Sequence, residues 1–110
     1  MEAMAEQPHI GTFADADTSR ALRRARVDVL RLGGLVFDRA IFEPGWRWSE
    51  QAGVALCTER HLGYLVSGRM RFRMADDSEF EAGAGDVYLI PPGHDAWVVG
   101  EEPCVALDIH

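Results

Sequence analysis

Cysteine and histidine are the side chains in this sequence best suited to chemistry. Cys57 and His61 are four residues apart, and His94 is followed directly by Asp95. Thiolate and imidazole groups are ligands for zinc, and also for nickel, copper or ferrous iron. Without a metal, Cys57 and His61 could act as a thiolate and a general acid/base, or His94 and Asp95 could transfer a proton. The residue types therefore permit either a metal centre or acid/base chemistry.

The spacing of Cys57 and His61 limits both alternatives. On a regular strand these two side chains share a face but lie roughly 13 Å apart, at about 3.3 Å per residue. A direct contact between them, or a metal ion shared by them, therefore needs a bulge or bend in the chain. A metal could also take a carboxylate ligand, for which the sequence offers three candidates: Asp95, Glu50 and Glu43.

Two tryptophans form the other distinctive feature. Trp46 and Trp48 lie on one side of an extended chain, with Arg47 on the opposite side. Together with Trp97 they could line a pocket for a flat or apolar ligand, and Arg47 could bind a carboxylate of that ligand. The alternative is that the tryptophans cover one end of the fold or a subunit interface.

The elements that must position these side chains are short strands. Arginine and apolar residues alternate over 69–74, which is the period-two pattern of a half-buried strand. A turn at 76–78 and renewed alternation over 79–81 predict a hairpin. Further strands are predicted over 25–31, 35–42, 62–66, 86–90, 96–99 and 104–109. Short strands separated by glycine and proline turns favour a sandwich or a closed barrel.

The N-terminal part of the chain has a different character. Residues 1–13 are predicted as a flexible tail, and residues 14–110 as a single domain. Asp15 or Asp17 could cap a short helix over 19–24. The five arginines between positions 20 and 31 are expected to pair with the protein's own acidic groups, with anion binding as the alternative.

Composition excludes several classes of function. A net charge of −7 over 110 residues argues against nucleic acid or an anionic membrane as partner. The longest apolar runs are far shorter than the roughly 20 residues that span a membrane. The acidic start lacks the pattern of a secretory signal, so a cytoplasmic location is expected, with both cysteines reduced. The chain has no lysine, which excludes a Schiff base on its own side chains.

Two motifs resemble those of the cupin superfamily. Residues 85–93 read glycine, five residues, then proline-proline-glycine, which matches the superfamily's second motif. Residues 64–68, Tyr-Leu-Val-Ser-Gly, resemble the end of the first motif, whose usual form is E-x-x-Y-V-L-x-G. The resemblance covers about residues 40–109 and implies an all-β fold, a single cupin barrel of the jelly-roll or double-stranded β-helix type. The sequence adds the short N-terminal helix to this fold.

The resemblance also relates the candidate residues to one another. Cupins usually bind a metal through two histidines as H-x-H, a glutamate, and a histidine after the second motif. With Tyr64 aligned on the family tyrosine, Cys57 falls on the second histidine position and His61 on the glutamate position. Ala55 falls on the first histidine position. His94 lies two residues before the position of the last histidine, so on a strand it points to the same side as that position. The chain therefore resembles a subgroup with a C-x3-H and P-P-G-H-D-x-W pattern.

This alignment implies that the candidate residues meet at the barrel mouth. The expected metal ligands are Cys57, His61 and His94, with zinc, iron or nickel as the metal and no nucleotide cofactor. The expected catalytic residues are His61, His94 and Asp95. The expected substrate pocket is lined by Trp46, Arg47, Trp48, Tyr64 and Trp97. The alternative for each of these residues is an ordinary buried side chain with its polar atoms satisfied by the backbone.

Three functions remain open at this point. The first is a metal-dependent or acid/base enzyme acting on a small organic molecule, and the resemblance implies an isomerase, decarboxylase, cyclase or dioxygenase. The second is a non-catalytic cupin that binds or senses a small ligand. The third is a structural protein that acts through its sheet edge. A homodimer is expected, because edge strands need cover.

Overall fold

Antiparallel strands make up about half of the chain. The computed structural model describes residues 7–110. Its strands are β1 (Thr18–Leu22), β2 (Ala25–Leu32), β3 (Leu35–Phe42), β4 (His61–Ser67), β5 (Arg69–Met74), β6 (Glu79–Gly83), β7 (Val87–Ile90), β8 (His94–Val98) and β9 (Cys104–Ile109). A 3-10 helix (Phe13–Asp15) precedes β1, and one short helix, α1 (Trp48–Ala52), follows β3. The strands predicted from 25 onward are confirmed, including the β5–β6 hairpin.

The strands form two sheets with a common core. Six strands form a large sheet in the order β1-β2-β3-β9-β4-β7, and three form a small sheet in the order β6-β5-β8. Buried apolar side chains of both sheets pack together in one cluster. Across the described residues no strand pairing joins the two sheets, so the all-β fold with two antiparallel sheets is observed and closure of the predicted barrel is not detected.

The predicted helix over 19–24 is wrong, because these residues form a hairpin. β1 pairs with β2 in continuous register from Thr18↔Val29 to Leu22↔Ala25. Arg24 has a φ of 59°, which lets two residues close the turn between the strands. Arginine and leucine favour helices, but strand pairing overrides that weak preference here. The predicted tail over 1–13 lies partly outside the described residues, and its boundary stays a prediction.

Strand register divides the inner face of the large sheet into three levels. The upper level is formed by Asp38, Asp108, Gly63 and Tyr88. The middle level is formed by Arg20, Val27, Ala40, Ala106 and Leu65. The lower level is formed by Leu22, Ala25, Phe42 and Cys104. Polar groups therefore concentrate in the upper level, and the lower level is apolar.

The small sheet continues these levels on the facing side. In β8, His94, Ala96 and Val98 point inward, and in β5 they pair with Met74, Phe72 and Met70 respectively. The His94 ring lies 5.1 Å from that of His61 at the upper level, centroid to centroid. At the other end, the amide of Val98 donates to the carbonyl of Trp46, whose ring packs 4.1 Å from that of Phe42.

On the outer face, a buried carboxylate holds the first three strands together. Asp28 is 1% exposed and accepts hydrogen bonds from Ser19, Arg26 and Arg39 at 2.7–3.1 Å. These bonds hold its pKa at about 2, against the opposing effect of burial. The arginines between positions 20 and 31 are expected to pair with the protein's own acids, and Arg26 does so.

Among residues 7–110, no helix has both the length and the apolar character needed to cross a bilayer.

Candidate metal centre and its cavity

Backbone pairing brings Cys57 and His94 side by side. The amide of Cys57 donates to the carbonyl of His94 at 2.7 Å, and its own carbonyl accepts from Gly93 at 2.7 Å. Because Gly93 belongs to the Pro91-Pro92-Gly93 turn that ends β7, this turn delivers the start of β8 to Cys57. Both side chains are almost fully enclosed, at 5% exposure for Cys57 and 2% for His94.

A bend in the chain brings His61 to the same place. Cys57 forms an isolated bridge and regular strand structure begins at His61, so residues 58–60 are free to turn. The Sγ of Cys57 lies 3.6 Å from the Nε2 of His61. The separation of roughly 13 Å expected on a straight strand therefore does not apply. One ligand atom from each of Cys57, His61 and His94 lies within 4.8 Å of the others.

The Nδ1 nitrogen of each imidazole ring already makes a hydrogen bond. The Nδ1 of His61 lies 2.8 Å from Oδ2 of Asp108, and the Nδ1 of His94 lies 2.8 Å from the carbonyl of Pro91. A carboxylate and a carbonyl only accept, so each Nδ1 carries the donated hydrogen. In the neutral rings Nε2 is then the unprotonated atom, which is the arrangement that metal-binding histidines commonly show. The residues present thus fit a divalent metal ion.

The two histidines differ in their affinity for protons. The hydrogen bond to Asp108 raises the pKa of His61 to about 9, with a smaller contribution from Cys57 and against the effect of burial. Burial lowers the pKa of His94, and the neighbouring charge of His61 lowers it further. In the metal-free protein at neutral pH the pair is therefore one imidazolium and one neutral imidazole, with different roles available to each.

Gly63 makes room for the carboxylate that positions His61. Asp108 accepts from the hydroxyl of Tyr88 at 2.6 Å as well as from His61. A β-carbon at Gly63 would lie 2.3 Å from Oδ1 of Asp108 and 2.5 Å from the Tyr88 hydroxyl. Both distances are below any real contact, so the Tyr88–Asp108 hydrogen bond depends on the missing side chain.

The histidines open onto a cavity between the two sheets. It has a volume of about 310 Å³, at the lower end of the range of about 300–1,000 Å³ for small-molecule pockets. Both His61 and His94 line it, as do Tyr88 and Asp108. The predicted pocket residues Trp46 and Trp48 also line it, and the indole nitrogen of Trp46 donates to Gln51 at 2.8 Å.

The structure does not bring the other predicted pocket residues to this cavity. Tyr64 is 42% exposed on the outer face of β4. Trp97 lies on the outer face of β8, where the guanidinium of Arg47 stacks 4.4 Å from its ring centre. Arg47 also lies 3.3 Å from Asp95. The parity of β4 and β8 explains the positions of Tyr64 and Trp97, since each of them neighbours an inward-facing residue.

Asp95, a predicted catalytic residue, holds the start of α1 instead of facing the cavity. Its two carboxylate oxygens accept from the amide and the hydroxyl of Ser49 at 3.0 and 2.8 Å. It neighbours His94 in sequence but points to the opposite side of β8. Glu43 and Glu50, the other candidate carboxylate ligands, do not line the cavity either.

Several residues of the site escaped the sequence analysis. The most important are Asp108, Tyr88, Asp38 and Glu59, which all line the cavity. A signal existed for Asp108. The inward parity of β9 reads Cys104, Ala106, Asp108, and a charged residue on an otherwise apolar inner face predicts a buried partner.

Comparison with known families and curated proteins gives one match. Residues 58–110 match the family model described as "Cupin domain". No curated protein matches the chain significantly in sequence. The family match covers just under half of the chain, and the C-x3-H subgroup is not confirmed by it.

Solved structures share this fold at low sequence identity. An oxalate decarboxylase from Lactobacillus farciminis, described as a formate complex, superposes with a TM-score of 0.69 at 17% identity, over 98% of this chain and 33% of its own. A protein of unknown function from Rhizobium leguminosarum gives 0.66 at 18%, over 96% of both chains. A cupin-like protein from Thermotoga maritima gives 0.60 at 19%, over 77% of this chain and 66% of its own. This chain thus spans about a third of the decarboxylase, and the likeness is one of fold.

Proposed function

We propose that this chain is a small single-domain cupin that binds a divalent metal ion through Cys57, His61 and His94 and acts as an enzyme on a small organic molecule. The observation that carries the proposal is the meeting of three ligand atoms within 4.8 Å beside a cavity. We place the domain over residues 14–110 and expect it to work in the cytoplasm.

The metal, when bound, would supply a Lewis acid at the polar end of the cavity. Thiolate and imidazole ligands favour zinc, iron or nickel over calcium or magnesium. Asp108 orients His61, and the carbonyl of Pro91 orients His94, so both rings are held ready for a ligand role. Three protein ligands leave a coordination position for water or substrate.

Elemental analysis tests the proposed metal site. We expect about one zinc, iron or nickel ion per chain after reconstitution and desalting. His61→Ala and His94→Ala should each weaken binding by at least about tenfold. His9→Ala and Cys104→Ser are the matched controls, because His9 is exposed and Cys104 lies at the lower level of the inner face. Retention of the metal in both His61→Ala and His94→Ala would overturn the proposal.

A metal-free acid/base site is the second candidate, and one observation favours it. Asp108, His61 and Cys57 form a chain in which carboxylate orients imidazole and imidazole faces sulfur, at 2.8 and 3.6 Å. In this candidate His61 moves a proton to or from substrate, and Asp108 stabilises the imidazolium. Turnover by rigorously metal-free protein that is lost in Asp108→Asn would favour it over the metal enzyme.

We further propose that the active form is a homodimer. The outer face of β4, β7 and β9 exposes a continuous apolar patch: Leu62, Tyr64, Val66, Val87, Leu89 and Ile109, each between 42% and 73% exposed. Leu62 pairs with Leu89 and Tyr64 with Val87, so the patch is contiguous. Within the described residues β7 pairs with β4 alone and forms a sheet edge. An apolar face without charge of either sign fits a second copy of itself.

A further inference from the structure

Apart from Arg20 on β1 and Gln51 on α1, the wall of the cavity is apolar at its middle and lower levels. Three alanines, Ala40, Ala96 and Ala106, face it from three different strands, where larger side chains would fill the space. Trp46 and Phe42 pack together below them, and Trp48 also contributes to the wall. This part of the cavity offers hydrocarbon and aromatic surface and suits the body of an apolar ring.

The cavity lining carries an excess of negative charge. Asp38, Asp108 and Glu59 line it, whereas its arginine, Arg20, lies at the middle level on the exposed β1. Asp108 accepts a hydrogen bond from Nδ1 of His61. Asp38 accepts from His110 through Oδ2 at 2.8 Å, while its buried Oδ1 has no donor among residues 7–110. Because only one of its two oxygens has a donor, the negative charge of Asp38 disfavours a second anion at the polar end of the cavity.

We propose that the cavity takes a neutral or cationic amphipathic molecule of about one ring, with its apolar body among the three alanines and a hydroxyl or amino group at the level of His61 and His94. Carboxylate ligands, including a small dicarboxylate such as oxalate, are disfavoured by Asp38 and Glu59. The inference rests on the proposed function only in that the polar end carries the metal ligands.

Intrinsic tryptophan fluorescence gives a direct readout of occupancy. Trp46 and Trp48 line the cavity, whereas Trp97 lies outside under Arg47 and Arg73. Full-length protein, zinc-loaded and metal-free, would be titrated with four probes: benzylamine, benzyl alcohol, benzoate and oxalate. The first three share one ring and differ in charge. We expect saturable quenching by the amine and the alcohol, at least about tenfold weaker binding of benzoate, and no quenching by oxalate.

Two kinds of variant connect this binding to the structure. Ala106→Leu fills the middle level and should weaken the amine and the alcohol by at least about tenfold. Ala40→Val adds less volume at the same level and replaces Ala106→Leu if that variant does not fold. Ala21→Leu makes the same change on the exposed outer side of β1 and should leave binding unchanged. Asp38→Asn should shift the ratio of benzoate to benzylamine affinity towards benzoate by roughly threefold or more.

The outcomes separate this inference from the proposed metal site. Tighter or equal binding of benzoate or oxalate, unchanged binding in folded Ala106→Leu, or zinc-loaded protein that no probe quenches would each overturn the ligand assignment. Failure to load zinc, together with amine and alcohol binding that Ala106→Leu weakens, would leave the ligand assignment standing and overturn the metal site.

Discussion

Asp108 accepts hydrogen bonds from His61 and Tyr88 at once, and both bonds depend on the absence of a side chain at Gly63. Tyr88 and Asp108 together position the ring of His61. The carboxylate fixes the tautomer and the orientation of His61, and the phenol fixes the carboxylate. The contribution of Asp108 to the site therefore depends on a residue that has no side chain.

Substitution of Gly63 by alanine tests this arrangement. The added β-carbon should displace Asp108 or Tyr88, so that Gly63→Ala loses about 1–3 kcal/mol in the free energy of unfolding and binds metal less tightly. Gly83→Ala is the matched control, because its β-carbon would meet its nearest neighbour at an ordinary 3.8 Å. Denaturant unfolding and metal titration measure the two effects. Equal behaviour of the two variants would show that Gly63 is not required.

The buried Asp28 predicts how stability changes in acid. Its pKa of about 2 lies below the ordinary value of 3.8, so it stabilises the fold above about pH 4 and this contribution is lost as the pH falls towards 2. Asp28→Asn should cost about 1–3 kcal/mol near neutral pH, because the ionised hydrogen bonds to Arg26 and Arg39 are weakened.

The test compares free energies of unfolding at about pH 6 and about pH 2.5. The difference between wild type and Asp28→Asn should shrink in acid. Asp77→Asn is the control, since asparagine accepts the left-handed backbone at this exposed turn, where φ is 68°. A difference that stays constant with pH would exclude ionisation of Asp28 as its source.

At the scale of elements, α1 depends on a carboxylate from another strand. Ser49 in the first turn of the helix donates to Asp95 through both its amide and its hydroxyl. Trp46, Trp48 and Gln51 come from this segment and line the cavity. Asp95 therefore supports the cavity wall from behind and does not itself line the cavity.

Removal of the Asp95 carboxylate should show whether this residue supports α1 or binds the metal. Asp95→Ala should lower stability by about 0.5–2 kcal/mol, as loss of a helix cap does, and change the fluorescence of the cavity tryptophans. The bound metal should be retained, because His94 points to the other side of β8. Glu102→Ala, an exposed position, is the control. Metal loss in Asp95→Ala without a change in stability would instead place Asp95 at the metal.

Sequence pattern predicts these elements unequally. Alternation and turn residues identify the strands from 25 onward, because burial of one face imposes the period of two. The same reasoning does not find the β1–β2 hairpin, where exposed β1 has little alternation of apolar residues. It also cannot find the bend at 58–60. That bend follows from the pairing of Cys57 with His94, two residues far apart in the chain.

At the scale of the whole molecule, the apolar outer patch predicts assembly. Leu89→Arg places a charge at its centre, beside Leu62, and should convert a dimer into a monomer in light scattering after gel filtration. Val54→Arg, at a 57% exposed apolar position after α1, should leave the dimer intact. A wild-type protein that is monomeric at high micromolar concentration would contradict the proposed homodimer.

The candidate site is a property of the whole molecule more than of its motifs. The motif positions and strand parity predict His61 and His94 as inward residues. Asp108, which contacts His61, comes from β9, and Asp38, which also lines the cavity, comes from β3. Only the register of the completed sheet brings these two carboxylates opposite each other. Strand parity marks Asp108 as an inward charged residue, but local pattern carries no information about which strands become neighbours, so its pairing with His61 could not be assigned from sequence.

The position of β9 has a consequence for how the chain is made. This strand is the last of the described elements to leave the ribosome, yet it lies in the interior of the large sheet between β3 and β4. A nascent chain that ends before Cys104 leaves the edges of β3 and β4 that face β9 unpaired and lacks Asp108, so the large sheet is completed only once β9 has been made. Truncated products would expose two unpaired strand edges that can bind other strands. Chaperones or proteases should recognise such products.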